Sequence, residues 1–215
     1  MRTADRAISA AAQHPESETL IYLTALSAMW LTPQNPEAKR LLEHYRERGL
    51  DKVALREAAL QLLLLAGFQT SLEAFFQIHE VFGETLTGDA RELEESFSHV
   101  WLHRGYDLQA KVYAGSVEKL RNNLLQISPE LEAWTVMVGY GLVMSRPGLP
   151  PHWRELLEVA ALAVQGFPRQ LHSHFRGALN LGATRNEVEI VLHTVADWME
   201  EERSREVWQL WRRIK

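Results

Sequence analysis

What most constrains this chain is a recurring set of helix start and stop signals. Asn35-Pro36 places a capping side chain before a proline at the first helical position, and Gly49 supplies the matching stop. Ser128-Pro129-Glu130 opens another helix in the same style. Thr70 with Glu73, and Thr184 with Glu187, have the spacing of capping boxes, and Gly182 closes the helix before the second of them. Between these marks apolar residues recur at intervals of three and four. Leu156, Val159, Ala160 and Ala163 share one helical face, as do Val188, Val191, Leu192 and Val195. No segment alternates apolar and polar residues between Gly- or Asn-rich turns, so no strand is expected. The pattern predicts an all-α fold of about ten helices with short connections. One longer connection, residues 83–89, carries Gly83, Thr85, Thr87 and Gly88 and divides the chain into halves, 1–88 and 89–215.

Composition narrows the chemistry. Hydrophobic residues make up 46% of the 215, enough to build a core rather than a disordered chain. A net charge of −5 carries no basic footprint, so nucleic acid is not an expected partner. The absence of cysteine removes disulfides, thiolate nucleophiles, dithiol redox chemistry and cysteine-ligated zinc together. The most apolar run, residues 58–68, is interrupted by Gln61 and closed near Gly67. It is too short to cross a bilayer and is expected as a buried or interface helix, so no membrane partner is expected. Residues 1–13 are Ala-rich with Arg2, Asp5 and Arg6 interspersed and lack the continuous apolar core of a signal peptide, which makes a cytoplasmic location the expectation.

The two halves are related in pattern. Residues 19–28 lie without gaps on residues 155–164, a basic, partly apolar helix then ends in Gly49 or Gly182, and residues 57–61 fall against 189–193. Unrelated amphipathic helices can match by chance, but the shared order favours a tandem repeat. The first copy has Thr19 where the second has Glu155, and Leu41 where the second has His174, so it cannot hold a second site of the same kind.

Residues 140–149 (YGLVMSRPGL), 154–163 (RELLEVAALA) and 170–180 (QLHSHFRGALN), followed by Gly182-Ala183-Thr184 and Glu187-Val188, together form a recognisable run. Val112-Tyr113 with Gly115 stands upstream of it. In this order and spacing the chain resembles the carboxymuconolactone decarboxylase family over residues 105–198, and more distantly over 18–82, where Ala66-Gly67-Phe68 is similar to the family's helix-closing turn. The resemblance implies an alkylhydroperoxidase D-like helical bundle of two tandem repeats, the second carrying the site. It also implies decarboxylation or related acid–base chemistry on a small cyclic carboxylic acid, with no cofactor and no metal. The same superfamily contains a thiol peroxidase whose Cys-x-x-Cys pair would fall on Phe167 and Gln170. Neither side chain can attack a peroxide or resolve the product, so that activity is excluded. The superfamily's glutamate and histidine fall on Glu155 and His174, which the resemblance makes the catalytic pair.

Each candidate has a plainer reading beside this one. Glu155 is either a buried acid facing His174 or a carboxylate complementing its helix dipole. His174 is either the acid–base residue or a satisfied core histidine. His172 and His174, two apart, point to different sides of a helix and are poor joint metal ligands. Arg146, in a turn, suits a carboxylate bidentately or caps the preceding helix. Gln170, His172 and Arg176 complete the expected substrate-binding set with Arg146. After His193 the chain has Trp198-Met199-Glu200 in place of the family's glycine-containing turn. With the missing cysteines and the degraded first copy, this keeps a second reading open: a non-catalytic helical oligomer binding a small ligand or a protein. The family's ring assemblies imply a homotrimer of such double-copy chains. Residues 60–65, apolar nearly all round their helix, fit burial at a subunit contact.

Overall fold

The helix signals act locally, and most of them appear where the sequence puts them. Asn35 accepts a hydrogen bond from the Glu37 amide at 3.0 Å, and Ser128 from the Leu131 amide at 3.1 Å. Thr184 and Glu187 form a reciprocal capping box. The structure, a computed structural model, describes residues 3–32, 35–84, 86 and 97–214. Most of the expected boundary loop, and the division at 88, therefore lies outside the described residues. The helices are α1 (Thr3–Gln13), α2 (Glu18–Trp30), α3 (Pro36–Glu47), α4 (Lys52–Phe82), α5 (Ser98–Tyr113), α6 (Val117–Ile127) and α7 (Pro129–Trp134). A π-helix, Thr135–Met144, follows, then α8 (Pro151–Gln165), α9 (Pro168–Asn180), α10 (Arg185–Thr194) and α11 (Glu201–Arg212). No strand occurs among the described residues.

Two apolar helices form the centre. From Leu20 to Trp30 every residue of α2 is buried, as is every residue of α8 from Arg154 to Ala163, and the two helices pack on each other. Around α2 lie α1, α3, α4 and α10; around α8 lie α4, α9, α10 and α11. Leu157 and Ile190 of the second half enter the core of the first, and Leu20 and Ala28 of the first enter the core of the second.

Thr70 does not open a new helix. The break in α4 falls earlier, at Gly67 (φ 82°, ψ 179°), a conformation essentially restricted to glycine, and the Thr70 hydroxyl donates back to the Ala66 carbonyl at 3.2 Å. Residues 60–65 are not enclosed within one chain: Gln61 and Leu62 are buried, while Leu64 is 37% exposed. By length and composition α4 could cross a membrane. Its Glu57 and Gln61 are buried and bonded to α8 and to the turn before it.

Two glycines let the π-helix pack closely on α5. It lies across α5 so closely that a Cβ on Gly105 would run into the Val136 carbonyl, and one on Gly141 into the Trp101 carbonyl. This crossing brings Tyr140 and Met144 against Leu108 and Val112 and sets one wall of the cavity described next.

Candidate active site

The buried helix α8 carries two carboxylates one turn apart, Glu155 and Glu158, on an otherwise largely apolar stretch. Glu155 is fully buried, and its Oε2 accepts from His174 Nδ1, on α9, at 2.9 Å. The contact requires the close approach of α8 and α9. Gly177, one turn beyond His174, provides it, because a Cβ there would lie 2.5 Å from Glu155 Oε2 and 2.8 Å from Val112 Cγ1. Asn180, one further turn along, donates to the Val112 carbonyl at 2.8 Å and ties α9 to the end of α5.

A cavity of about 430 Å³ opens beside this pair. Its walls are Leu64 of α4, Leu131 and Trp134 of α7, Thr135, Val138, Gly139, Tyr140 and Met144 of the π-helix, with Glu158 and His174 as the charged groups. Such a site, mostly apolar with a few convergent polar groups, is the ordinary form of a small-molecule pocket. Burial alone would push the His174 imidazole down, but the Glu155 carboxylate, with Glu158 behind it, overrides burial and raises it to about 9. At neutral pH His174 is therefore an imidazolium, with its second ring nitrogen left for the cavity. Burial, reinforced by the charge of Glu155 and partly offset by His174, raises Glu158 to about 7. Tyr140 donates to the Tyr113 hydroxyl at 3.1 Å. Burial pushes both phenols up, Tyr140 more strongly, so both stay protonated hydrogen-bonding groups.

The expected substrate-binding residues lie elsewhere. Arg146 is not at this cavity: its Nε donates to Glu57 Oε2 at 2.9 Å, within a buried cluster where Arg154 Nη2 reaches the same oxygen at 2.9 Å and Arg56 pairs with the other. A buried carboxylate from α4 thus takes the guanidinium fork that was expected to hold a substrate carboxylate. Gln170 is exposed on the first turn of α9. His172 and Arg176 are also exposed and share a shallow cleft of about 200 Å³ with Tyr113, Ser116, Ser173 and Asn180. The Tyr113–Tyr140 pair stands between this cleft and the cavity, since Tyr113 lines the one and Tyr140 the other. His172 and His174 do face different sides of their helix.

Sequence reasoning passed over Glu158, Tyr140, Tyr113 and Gln61. Glu158 had a readable signal, a second acid at i+3 on an apolar helix, where a charge is rarely left without a purpose. Gln61 interrupts the most apolar run of the chain in the same way. The pairing of the tyrosines depends on how α5 and the π-helix cross and had no local signal. No cluster of potential metal ligands occurs among the described residues.

Comparison with known proteins bears on this segment. Residues 129–212 match the sequence model of the carboxymuconolactone decarboxylase family. A relative named 4-carboxymuconolactone decarboxylase, from Acinetobacter baylyi (strain ATCC 33305 / BD413 / ADP1), is 35% identical over 78 residues, which cover 36% of this chain. The chain spans 58% of that relative's length.

Proposed function

We propose that this chain, whose residues 129–212 match the carboxymuconolactone decarboxylase family model, is a cofactor-independent enzyme that removes carbon dioxide from a small cyclic carboxylic acid. One observation carries the reading: His174, held by Glu155, and Glu158 face a single, mostly apolar cavity with their proton affinities set apart by their surroundings. In this reading the substrate ring lies against Val138, Gly139 and Met144. Its carboxylate leaves as carbon dioxide, and the electron pair of the broken C–C bond passes into a conjugated carbonyl. The His174 imidazolium stabilises the resulting enolate oxygen. Glu158, in its acid form, then delivers a proton to carbon and is reprotonated from solvent. Among the described residues lining the cavity His174 is the one cationic side chain, so it also serves as the attractor of the substrate carboxylate.

The test uses 4-carboxymuconolactone and related ring acids, with carbon dioxide release as the readout. Wild type is expected to turn over at least one of them. His174→Ala should lower kcat by about 100-fold or more, and Glu158→Gln should remove the pH limb near 7. No turnover of any probe, or equal turnover by wild type and His174→Ala, would refute the assignment.

A further inference from the structure

Among the described residues, the first half lines the cavity with Leu64 and bonds its charged groups through Gln61. Gln61, on α4 and fully buried, donates from Nε2 to the Arg154 carbonyl at 2.8 Å and to Glu158 Oε1 at 3.1 Å. The two bonds are not independent. A backbone carbonyl can only accept, so the Arg154 oxygen fixes which end of the amide faces α8. Were the amide turned over, Gln61 Oε1 would meet that carbonyl, and two acceptors would be buried face to face. The group presented to Glu158 is therefore a donor, and a donor favours the carboxylate over the acid. Around Glu158 stand His174 from α9, Tyr140 from the π-helix, Tyr113 from α5 and Glu155 on its own helix. From α4 the neighbouring acid, Glu57, is one turn away and engaged with Arg146 and Arg154. Gln61 is thus the polar group that α4 contributes at Glu158.

We infer that Gln61 is a positioning residue of the site: held from behind by the Arg154 carbonyl, it anchors Glu158 Oε1, biases Glu158 toward its carboxylate form and leaves Oε2 as the oxygen that exchanges a proton with substrate. The inference builds on the proposed acid–base role of Glu158. It gives the first half, which lacks counterparts of Glu155 and His174, a defined part in the chemistry.

The experiment titrates Glu158 by carbon NMR in protein labelled at the glutamate carboxyls, with the resonance assigned from Glu158→Gln. Gln61→Met keeps the volume and removes the donor, so Glu158 should titrate higher by about one pH unit. Gln61→Glu sets a second carboxyl beside it and should move the titration further up. In turnover assays the pH limb assigned to Glu158 should move by the same amount as the NMR midpoint. If Gln61→Met does not fold, Gln61→Asn withdraws the amide by one methylene and gives the same readout. A Glu158 midpoint unmoved in a folded Gln61 variant overturns the inference, whatever the activity. Absence of wild-type turnover with a shifted midpoint overturns the proposed reaction and leaves the role of Gln61 standing.

Discussion

Gly177→Ala sets local propensity against packing, and the two have opposite signs. In a helix interior alanine is better than glycine by about 0.5–1 kcal/mol, so at a neutral position the variant would gain stability. At position 177 the new methyl would lie 2.5 Å from Glu155 Oε2 and 2.8 Å from Val112 Cγ1. Ordinary contact begins at 3.4 Å, so α8 and α9 must separate or Glu155 must turn. Neither movement is free. Glu155 is fully buried and bonded to His174 at 2.9 Å, and Val112 is fixed by Asn180. Overpacking of this kind costs about 1–3 kcal/mol, and disturbing a buried carboxylate pushes the cost toward the upper end. The net expectation is a loss of about 1–2 kcal/mol, seen as a urea midpoint lower by about 0.5 M at unchanged slope. A variant as stable as wild type, or more stable, would show that the helices do not meet as described and would refute the argument for Gly177.

Stability should fall from pH 6 to pH 10. His174 is raised above its unfolded value of 6.5, so its contribution is complete below 6.5 and lost as pH rises through about 9; Glu158, raised from 4.5, loses its contribution as pH rises through about 7. The histidine effect is on the order of 3 kcal/mol at most, and denaturation midpoints of wild type and His174→Ala across this range should converge at the alkaline end. Glu57→Ala should destabilise by about 3–5 kcal/mol in chemical denaturation, because it leaves the fully buried Arg154 guanidinium without its carboxylate. We propose that the chain forms a homotrimer, with support from Phe68, Leu72 and Phe76, an exposed stripe at i, i+4 and i+8 on the outer part of α4. Light scattering should give about three times 24.7 kDa, and Phe68→Glu with Phe76→Glu should reduce it to a single chain.

What could be read in the sequence was what is decided within a turn or two of helix. Asn35, Ser128 and Thr184 cap because their side chains reach amides two or three residues away, and no distant contact can easily overrule them. Thr70 failed because Gly67, three residues earlier, already breaks the helix and leaves the threonine inside the next turn. The contact of Glu155 with His174 was suggested by family spacing, but whether the pair touched depended on Gly177. Arg146 misled for a similar reason: its partner, Glu57, is 89 residues away in sequence, and a guanidinium fork fits a protein carboxylate as well as a substrate one. We propose that α2–α3–α4 and α8–α9–α10 arose by duplication, to be judged by whether the two triads superpose with the same crossing order and hand.

The π-helix has a consequence for how this site can change over generations. Its residues bond five apart rather than four, so Thr135 and Tyr140 fall in line along the cavity wall, with Met144 near the next turn. A regular α-helix of the same sequence would rotate these side chains away from one another. The shape of that wall is therefore held by the number of residues in the stretch more than by their identity. Swaps among apolar residues at Val138 should trim the site by degrees. Loss of a single residue anywhere in the stretch would let the chain relax into an α-helix, leaving the helical content nearly unchanged and the wall dismantled. For this site, insertion and deletion are the abrupt routes of change, and substitution is the gradual one.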